Sequence, residues 1–223
     1  MNDLPSAAAD SVAGWLSGRD GSEHAELVRV ADAVRRIIAN LHGTSGEAET
    51  LAGMAEQLEA LAEATEHLPR TDLSRLAEAA VAAADGRDHG PTFFDFSPVA
   101  GRGNPVAPPV SVTLVDGVVH GRAHLERPYE GPPGHVHGGW VAAMFDEVLG
   151  MVQAASGEPG MTGILTVRYR APTPLYADLD LRAELVRVEG RKLFTEGTLH
   201  HGDTLCATAE GVFIKVDFAR LMG

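Results

Sequence analysis

The sequence predicts an α+β protein, in which a curled antiparallel sheet of about six strands surrounds one long central helix and follows a small α-helical region. Residues 22–84 place apolar side chains at spacings of three and four, which is typical of amphipathic helices. Residues 110–218 carry extended runs separated by turn residues, which is typical of antiparallel hairpins. Between the second and third of these runs, residues 140–152 are apolar on nearly every helical face. Such a helix must be buried on nearly all sides, so the sheet has to wrap around it.

Length and composition are those of a globular protein. The chain has 223 residues, of which 44% are hydrophobic, enough for one domain of ordinary size and a smaller unit. A single cysteine, Cys206, excludes an internal disulfide framework, and its apolar surroundings predict a core position. The start MNDLPSAAAD lacks a secretory pattern, and no run reaches the ~18 apolar residues of a membrane span. We therefore expect a cytoplasmic protein that does not cross a membrane.

Charge argues against one class of partner. The formal net charge is -13, whereas nucleic-acid binding depends on basic patches that neutralise phosphates. The acidity is concentrated at the N-terminal end, because residues 1–88 contain 16 Asp and Glu against 7 Lys and Arg. We expect no nucleic-acid partner.

The N-terminal region begins with two predicted helices. The first starts at residue 22 and stops before Gly43, and Thr44 with Glu47 suggests a capping box for the second. Along one face of the second helix runs an apolar stripe of Leu51, Met54, Leu58, Leu61 and Leu68. We expect the stripes of the two helices to pack on each other or on the following domain. A coiled-coil partner role is the alternative.

A third helix and an irregular segment complete this region. The helix is predicted over residues 72–84, with Thr71 as its N-cap and Gly86 as its stop.

Glycine and proline are frequent in residues 86–110, so no regular element is expected there. Four apolar side chains of this segment are costly to leave in water and should dock on the following domain: Phe93, Phe94, Phe96 and Val99. The predicted domains are therefore a helical region, 1–85, and a second domain, 86–223, which opens with this docking segment.

Turn residues divide the second domain into strands. Asp116 and Gly117 tolerate the positive φ of a tight hairpin turn, and Glu189 with Gly190 marks another turn. Three β-rich runs follow the central helix, which gives about six strands in all. Consecutive hairpins imply an antiparallel sheet.

Two motifs of this domain resemble a known family. The run HVHGGWVAAMFDEVLG, followed by MTGILTVRYRAPTPL, resembles the core of hotdog-fold acyl-CoA thioesterases, the group that includes phenylacetate-pathway and 4-hydroxybenzoyl-CoA-type enzymes. The resemblance covers residues 110–218, and SPVAGRGNPVAPP resembles a lead-in found in some members. It implies a hotdog fold and an acyl-CoA substrate.

The resemblance also implies roles for individual residues. The backbone N–H groups of Gly138 and Gly139 would polarise the thioester carbonyl, and His137 would hold the loop or the substrate. Asp146 would act as base or nucleophile, and Thr162 would help to place the attacking water.

Two adjacent carboxylates compete for the catalytic role. Glu147 lies ~100° around the helix from Asp146, so only one of them should face the thioester. We favour Asp146 as the catalytic acid and treat Glu147 as a substrate-binding residue. The ordinary alternative is that Asp146 is a structural carboxylate that caps a neighbouring loop.

Basic residues of the strands are candidates for binding the CoA phosphates. We select Arg168, Arg191 and Lys192, since phosphates need local positive charge whatever the net charge is. The alternative is that they belong to solvated faces.

Histidines of this domain raise the question of a metal. They are His120, His124, His135, His137, His200 and His201. No carboxylate or cysteine stands at a recognisable ligand spacing from them, so no metal and no cofactor is predicted.

Helix geometry predicts a homodimer. The nine residues between His137 and Asp146 correspond to roughly 13 Å along a helix, too far for both to act on one carbonyl. Two such helices running antiparallel about a two-fold axis would place the acid of one beside the donors of the other. A dimer of dimers is compatible with this arrangement.

The sequence therefore predicts an acyl-CoA thioesterase of lipid metabolism, which hydrolyses an acyl thioester to a free acid and CoA. Two alternatives stay open. One is a hotdog-fold hydratase or dehydratase, which uses a differently placed Asp and His pair. The other is a non-catalytic acyl-CoA-binding or regulatory protein, with the acidic helices as its interaction module.

Overall fold

A computed structural model describes residues 22–76, 93–157 and 160–216. The helices are α1 (Ser22–Leu41), α2 (Ala48–Glu66) and α3 (Gly138–Ala155). The strands are β1 (Val110–Val115), β2 (Val118–His124), β3 (Gly160–Tyr169), β4 (Asp178–Glu189), β5 (Lys192–His201) and β6 (Thr204–Lys215). Short 3-10 turns occur at Phe93–Phe96 and Arg127–Tyr129.

The six strands form one antiparallel sheet in the order β1-β2-β4-β5-β6-β3. Strands β1 and β3 are therefore its two edges. The predicted strand number and the position of the long helix between the second and third strands are confirmed. The predicted hairpin is also confirmed, since Asp116 (φ 49°) and Gly117 (φ 76°) both adopt the left-handed conformation between β1 and β2.

Helix α3 lies against the sheet and contacts strands β2 to β6. Glycines in the sheet let it approach closely. A Cβ on Gly211 would lie 3.3 Å from a methyl carbon of Leu149, and one on Gly197 would lie 3.4 Å from the ring of Phe145. The predicted core position of Cys206 is confirmed, since its side chain is fully buried.

The segment that precedes β1 covers another part of the core. Phe94, Val99 and Ala100 pack against the buried core that α3 shares with the sheet. This confirms the predicted docking for Phe94 and Val99, while Phe96 is half-buried and the side chain of Phe93 lies outside the described residues. Most of the large apolar side chains of α3 are thus buried, as its composition requires, while the side that carries Asp146 stays exposed.

Helix α1 holds the docking segment in place. The Arg35 guanidinium, whose side chain is 15% exposed, donates hydrogen bonds of 2.7 to 3.1 Å to four backbone carbonyls: Gly101, Arg102, Asn104 and Ala107. At the other end of α1, the buried His24 ring lies 3.6 Å from the Asp95 carboxylate. A guanidinium with several donors is well suited to satisfy the carbonyls of an irregular loop.

The predicted capping box of α2 is wrong. Glu47 is the N-cap of this helix but makes no side-chain hydrogen bond there. The Thr44 hydroxyl instead donates a hydrogen bond of 2.5 Å to the carbonyl of Asn40, in the last turn of α1. A threonine near a helix end often finds an acceptor four residues back, and here that bond displaces the cap.

The expected packing of the α2 stripe is also wrong. No residue of α2 is buried, and Leu51, Met54, Leu58 and Leu61 are all more than a third exposed. In the described part of the chain, no element lies against this face closely enough to cover it.

The third helix is described only at its beginning. Residues 73–76 are helical, and the Asp72 carboxylate accepts hydrogen bonds from the N–H groups of Ser74 and Arg75. Asp72 is therefore the N-cap, not Thr71 as predicted, because its side chain reaches the free N–H groups of the first turn. The rest of this helix and the domain boundary at Gly86 lie outside the described residues. No helix of the described residues is long and apolar enough to cross a membrane.

Candidate active site

The N-terminus of α3 is capped by its preceding histidine. The Nδ1 atom of His137 accepts a hydrogen bond of 3.0 Å from Gly139 N–H. The carbonyl of the same residue accepts bonds from Trp140 N–H (2.9 Å) and Val141 N–H (3.3 Å). No described residue accepts a hydrogen bond from Gly138 N–H, which leaves this group as the unengaged donor of the first turn.

The two predicted carbonyl donors therefore differ in this structure. Gly139 N–H is occupied by the His137 ring, whereas Gly138 N–H is available at the positive end of the α3 dipole. A ring nitrogen that accepts a hydrogen bond carries no hydrogen, so in this arrangement Nε2 is the nitrogen of the His137 ring that can donate. The Nε2 side of this exposed ring is a further potential hydrogen-bond donor.

A tyrosine side chain forms a hydrogen bond with the same turn. Tyr169, at the end of β3, donates a hydrogen bond of 2.8 Å from its hydroxyl to the Gly138 carbonyl. A Cβ on Gly138 would lie 3.2 Å from that hydroxyl oxygen, so the tyrosine lies against the Cα of this glycine. Sequence reasoning missed Tyr169. A tyrosine in a strand ordinarily reflects β-propensity, and no spacing links it to a glycine 31 residues earlier.

Asp146 and Thr162 meet on the exposed side of α3. The Thr162 hydroxyl donates a hydrogen bond of 2.8 Å to the Asp146 carboxylate, and both side chains are exposed in the single chain. The pairing of β3 with β6 is interrupted between Thr162 and Ile164, which marks a bulge at Gly163. Bulges reorient neighbouring side chains, and this one stands beside the residue that contacts Asp146.

Glu147 faces a different environment from Asp146. Burial raises the pKa of Glu147, a hydrogen bond with the Ser97 side chain opposes that rise, and the neighbouring Asp146 charge adds to it. Ser97 belongs to the docking segment, so Glu147 lies beneath that cover. The two adjacent carboxylates thus have different environments. Asp146 lies at an open surface, and Glu147 contacts the docking segment inside the protein.

Asp146 and Gly138, the predicted acid and the predicted carbonyl donor, lie apart within one chain. Asp146 follows Gly138 by eight residues of α3, which corresponds to roughly 12 Å along the helix axis. One thioester carbonyl cannot contact both groups at that separation.

The three predicted phosphate-binding residues do not converge in one chain. Arg168 forms an ion pair with Glu210 near the Tyr169 end of β3. The Arg191 guanidinium donates a hydrogen bond of 3.2 Å to the Lys215 carbonyl. Lys192 is exposed and lies opposite a residue of β6 that is itself paired with the other end of β3. Within residues 22–76, 93–157 and 160–216, no three His, Cys, Asp or Glu side chains are placed to hold a metal ion.

An antiparallel six-stranded sheet wrapped on one helix, with an open donor at the helix start, defines a hotdog-fold protein. The thioesterase superfamily model matches residues 133–208, which include His137, Gly138, Asp146 and Thr162. The crystal structure of protein RHA08564, a thioesterase superfamily protein, is 36% identical with a TM-score of 0.72, over 89% of this chain and 97% of that one. The chain belongs to the thioesterase superfamily.

Curated relatives match a shorter part of the chain. Acyl-coenzyme A thioesterase THEM4 of Mus musculus is 35% identical over 109 residues, which are 48% of this chain and 44% of that protein. Acyl-coenzyme A thioesterase THEM5 of Homo sapiens is 35% identical over 89 residues, 39% of this chain and 36% of that protein. The match spans less than half the length of these curated relatives.

Proposed function

We propose that this protein is an acyl-CoA thioesterase, which hydrolyses an acyl-CoA thioester to a free acid and CoA. The observation that carries the proposal is the exposed Asp146 carboxylate, fixed by a 2.8 Å hydrogen bond from Thr162, in a chain of the thioesterase superfamily. The relatives named acyl-coenzyme A thioesterases support the substrate class.

The helix start would stabilise the developing negative charge. The thioester carbonyl oxygen would accept a hydrogen bond from Gly138 N–H at the positive end of α3. The Nε2 N–H of His137 is a candidate for a second donor. Gly139 N–H would join them only if the His137 ring released it. Tyr169 holds the Gly138 carbonyl and thereby fixes the direction of the peptide that begins the helix.

Asp146 would supply the attack by one of two routes. As a base, it takes a proton from water while the water oxygen bonds to the carbonyl carbon; the C–S bond then breaks and the CoA thiolate takes up a proton. As a nucleophile, its carboxylate oxygen bonds to that carbon and expels CoA, and water then hydrolyses the mixed anhydride. Thr162 orients the carboxylate in both routes.

Two chains are needed to complete the site. Strand β3 is an edge of the sheet and exposes large apolar side chains, among them Met161, Ile164 and Tyr169. An unpaired apolar edge favours pairing with another strand. Antiparallel pairing of β3 with a second copy about its centre would set Thr162 of one chain near Arg168 of the other. Asp146 would then approach the Gly138 end of the partner helix, which supports a homodimer with two equal sites.

The same pairing would gather the basic residues. Lys192 and Arg191 lie near the beginning of β3, whereas Arg168 lies near its end. Antiparallel pairing brings the beginning of one β3 beside the end of the other, so the three cations would flank one cleft. Guanidinium and ammonium groups so placed would bind the CoA phosphates. CoA thioesters are intracellular metabolites, which favours a cytoplasmic enzyme of lipid metabolism.

A panel of acyl-CoAs with a thiol reagent tests the proposal. The purified protein is incubated with short-chain, long-chain, aromatic and 2-enoyl-CoAs, and both the release of free CoA and the loss of the enoyl absorbance are followed. We expect release from at least one class and its loss in Asp146→Asn. Tight binding of acyl-CoA without release would favour the non-catalytic binding protein. Addition of water to an enoyl-CoA without CoA release would favour the hydratase.

A further inference from the structure

Helix α1 forms one wall of a cavity that also reaches the start of α3. The cavity has a volume of about 460 Å³ and lies between α1, the loop before β1, the turn Arg127–Tyr129 and Trp140. Its lining is mostly apolar and includes Ile38, Pro105, Val106, Pro128, Tyr129 and Trp140. Cavities of this size and character accommodate small-molecule ligands.

Two aromatic residues that line the cavity, Tyr129 and Trp140, are linked to the first turn of α3, where the proposed carbonyl donor lies. Trp140 follows Gly138 by two residues in the first turn of α3. The Tyr129 carbonyl accepts a hydrogen bond of 2.9 Å from His137 N–H, and the Tyr129 ring meets the Trp140 ring edge-on, with centroids 5.2 Å apart. The aromatic wall of the cavity is thus tied to the first turn of α3 on both sides of Gly138, through the His137 N–H before it and Trp140 after it.

The charges around the cavity do not favour a phosphate. Arg35 is engaged by Asp32 and by the carbonyls of the docking segment. The remaining charged residues at the rim, Arg36 and Glu126, have opposite signs. Without a net positive charge the cavity should prefer the apolar part of a ligand over the CoA phosphates.

We propose that this cavity binds the acyl group of the substrate and that α1 limits the acyl groups that fit. The inference rests on the proposed thioesterase function and adds the substrate class, a bulky apolar acyl group. The wall formed by α1 lies outside the segment matched by the superfamily model, residues 133–208. Acyl selectivity would therefore be set by a part of the chain that precedes the catalytic domain.

Trp140 provides a direct probe of occupancy. The chain has two tryptophans, Trp15 and Trp140, so Trp15→Phe leaves Trp140 as the single indole fluorophore. This variant is titrated with S-decyl-CoA, a thioether that cannot be hydrolysed, and with CoA alone. A saturable change of Trp140 emission with S-decyl-CoA but not with CoA is expected. No change with S-decyl-CoA, or an equal change with CoA, would overturn the proposal.

A pair of substitutions on α1 tests selectivity. Ile38 lines the cavity, whereas Val30 is an exposed residue of the same helix that does not. Ile38→Trp should raise KM for decanoyl-CoA about tenfold and leave KM for propionyl-CoA unchanged, since the new ring fills the space of the longer chain. Val30→Trp should change neither. Equal effects on both substrates, or no effect of Ile38→Trp, would contradict an acyl site here.

The two experiments separate this inference from the function on which it rests. If no acyl-CoA is hydrolysed, the thioesterase proposal fails, yet the Trp140 titration still reports whether the cavity takes an acyl chain. If hydrolysis occurs and Trp140 does not respond to S-decyl-CoA, the function stands and the acyl site is elsewhere.

Discussion

The Thr162 hydroxyl lies 2.8 Å from the Asp146 carboxylate, and this hydrogen bond joins strand β3 to helix α3 at an exposed edge of the sheet. The pair unites an acid from the helix with a hydroxyl from the strand beside the bulge at Gly163. A carboxylate that retains contact with solvent and is oriented by one donor is suited to act on an incoming ligand. The internal contact of Glu147 leaves it less suited to that role.

Replacement of Asp146 tests the acid directly. Asp146→Asn keeps the shape of the side chain but removes the base, so kcat should fall by at least ~10²-fold with little change in KM. The measurement is steady-state release of CoA from the best acyl-CoA of the panel. A folded variant with near-normal kcat would remove Asp146 from the mechanism.

Replacement of Thr162 tests the orientation of that acid. Thr162→Val keeps the side-chain size but loses the hydroxyl, so kcat should fall about tenfold because the carboxylate is no longer held. Thr162→Ser retains the donor and should recover most of the activity. If the serine variant is as slow as the valine variant, the hydroxyl is not what matters at this position.

Glu147 should make stability depend on pH. Its pKa is raised by burial, so the folded state holds the proton more strongly than the unfolded state. Glu147 therefore lowers the free energy of unfolding as pH rises above the ordinary pKa range of glutamate. The decrease ends once Glu147 has ionised in the folded state. Glu147→Gln should therefore gain stability relative to wild type as pH rises from 4 to 8. Denaturant unfolding across this range measures the difference, and a difference independent of pH would show that Glu147 is not buried as described.

Arg35 should be worth more to stability than its neighbour Arg36. Arg35→Met leaves four carbonyls of the docking segment without their donor, which should lower the free energy of unfolding by about 2–3 kcal/mol. No described carboxylate pairs with Arg36, which is exposed, so Arg36→Met is the matched control and should stay within about 0.5 kcal/mol of wild type. Equal effects of the two substitutions would mean that Arg35 does not anchor the segment.

The fold could be predicted because local and global signals agree. The helix around Val148 is apolar on nearly all faces, and the turn at Asp116 and Gly117 demands positive φ, so sheet and central helix follow from simple rules. The α2 stripe carries the same kind of signal and led to a wrong prediction of burial. Periodicity shows which face of a helix is apolar but not whether anything covers it.

The site could be predicted only in part. The resemblance pointed to Asp146 and to both glycines, but it could not show which glycine N–H is free, because that depends on the rotamer of His137, whose ring accepts from Gly139 N–H. The contact between Glu147 and Ser97 joins residues 50 positions apart in sequence. Contacts of this kind depend on tertiary packing and leave no local pattern to read.

The proposed dimeric site predicts how two variants, each expected to be inactive alone, behave when they are mixed. Asp146→Asn removes the acid. Gly138→Pro removes the unengaged N–H, and proline is well tolerated at the first position of a helix. Gly138→Ala controls for the added Cβ near Tyr169, because it keeps the N–H, and it should remain more active than the proline variant.

The most direct test of the account is to mix the Asp146→Asn and Gly138→Pro proteins and measure CoA release after subunit exchange. If the acid and the donor come from different chains, each mixed dimer carries one site with both lesions and one site with neither. With equal amounts and random pairing, activity should return to about a quarter of wild type, since half the dimers are mixed and each has one intact site. No recovery, with folding and exchange of both variants verified, would contradict the account and place acid and donor in the same chain.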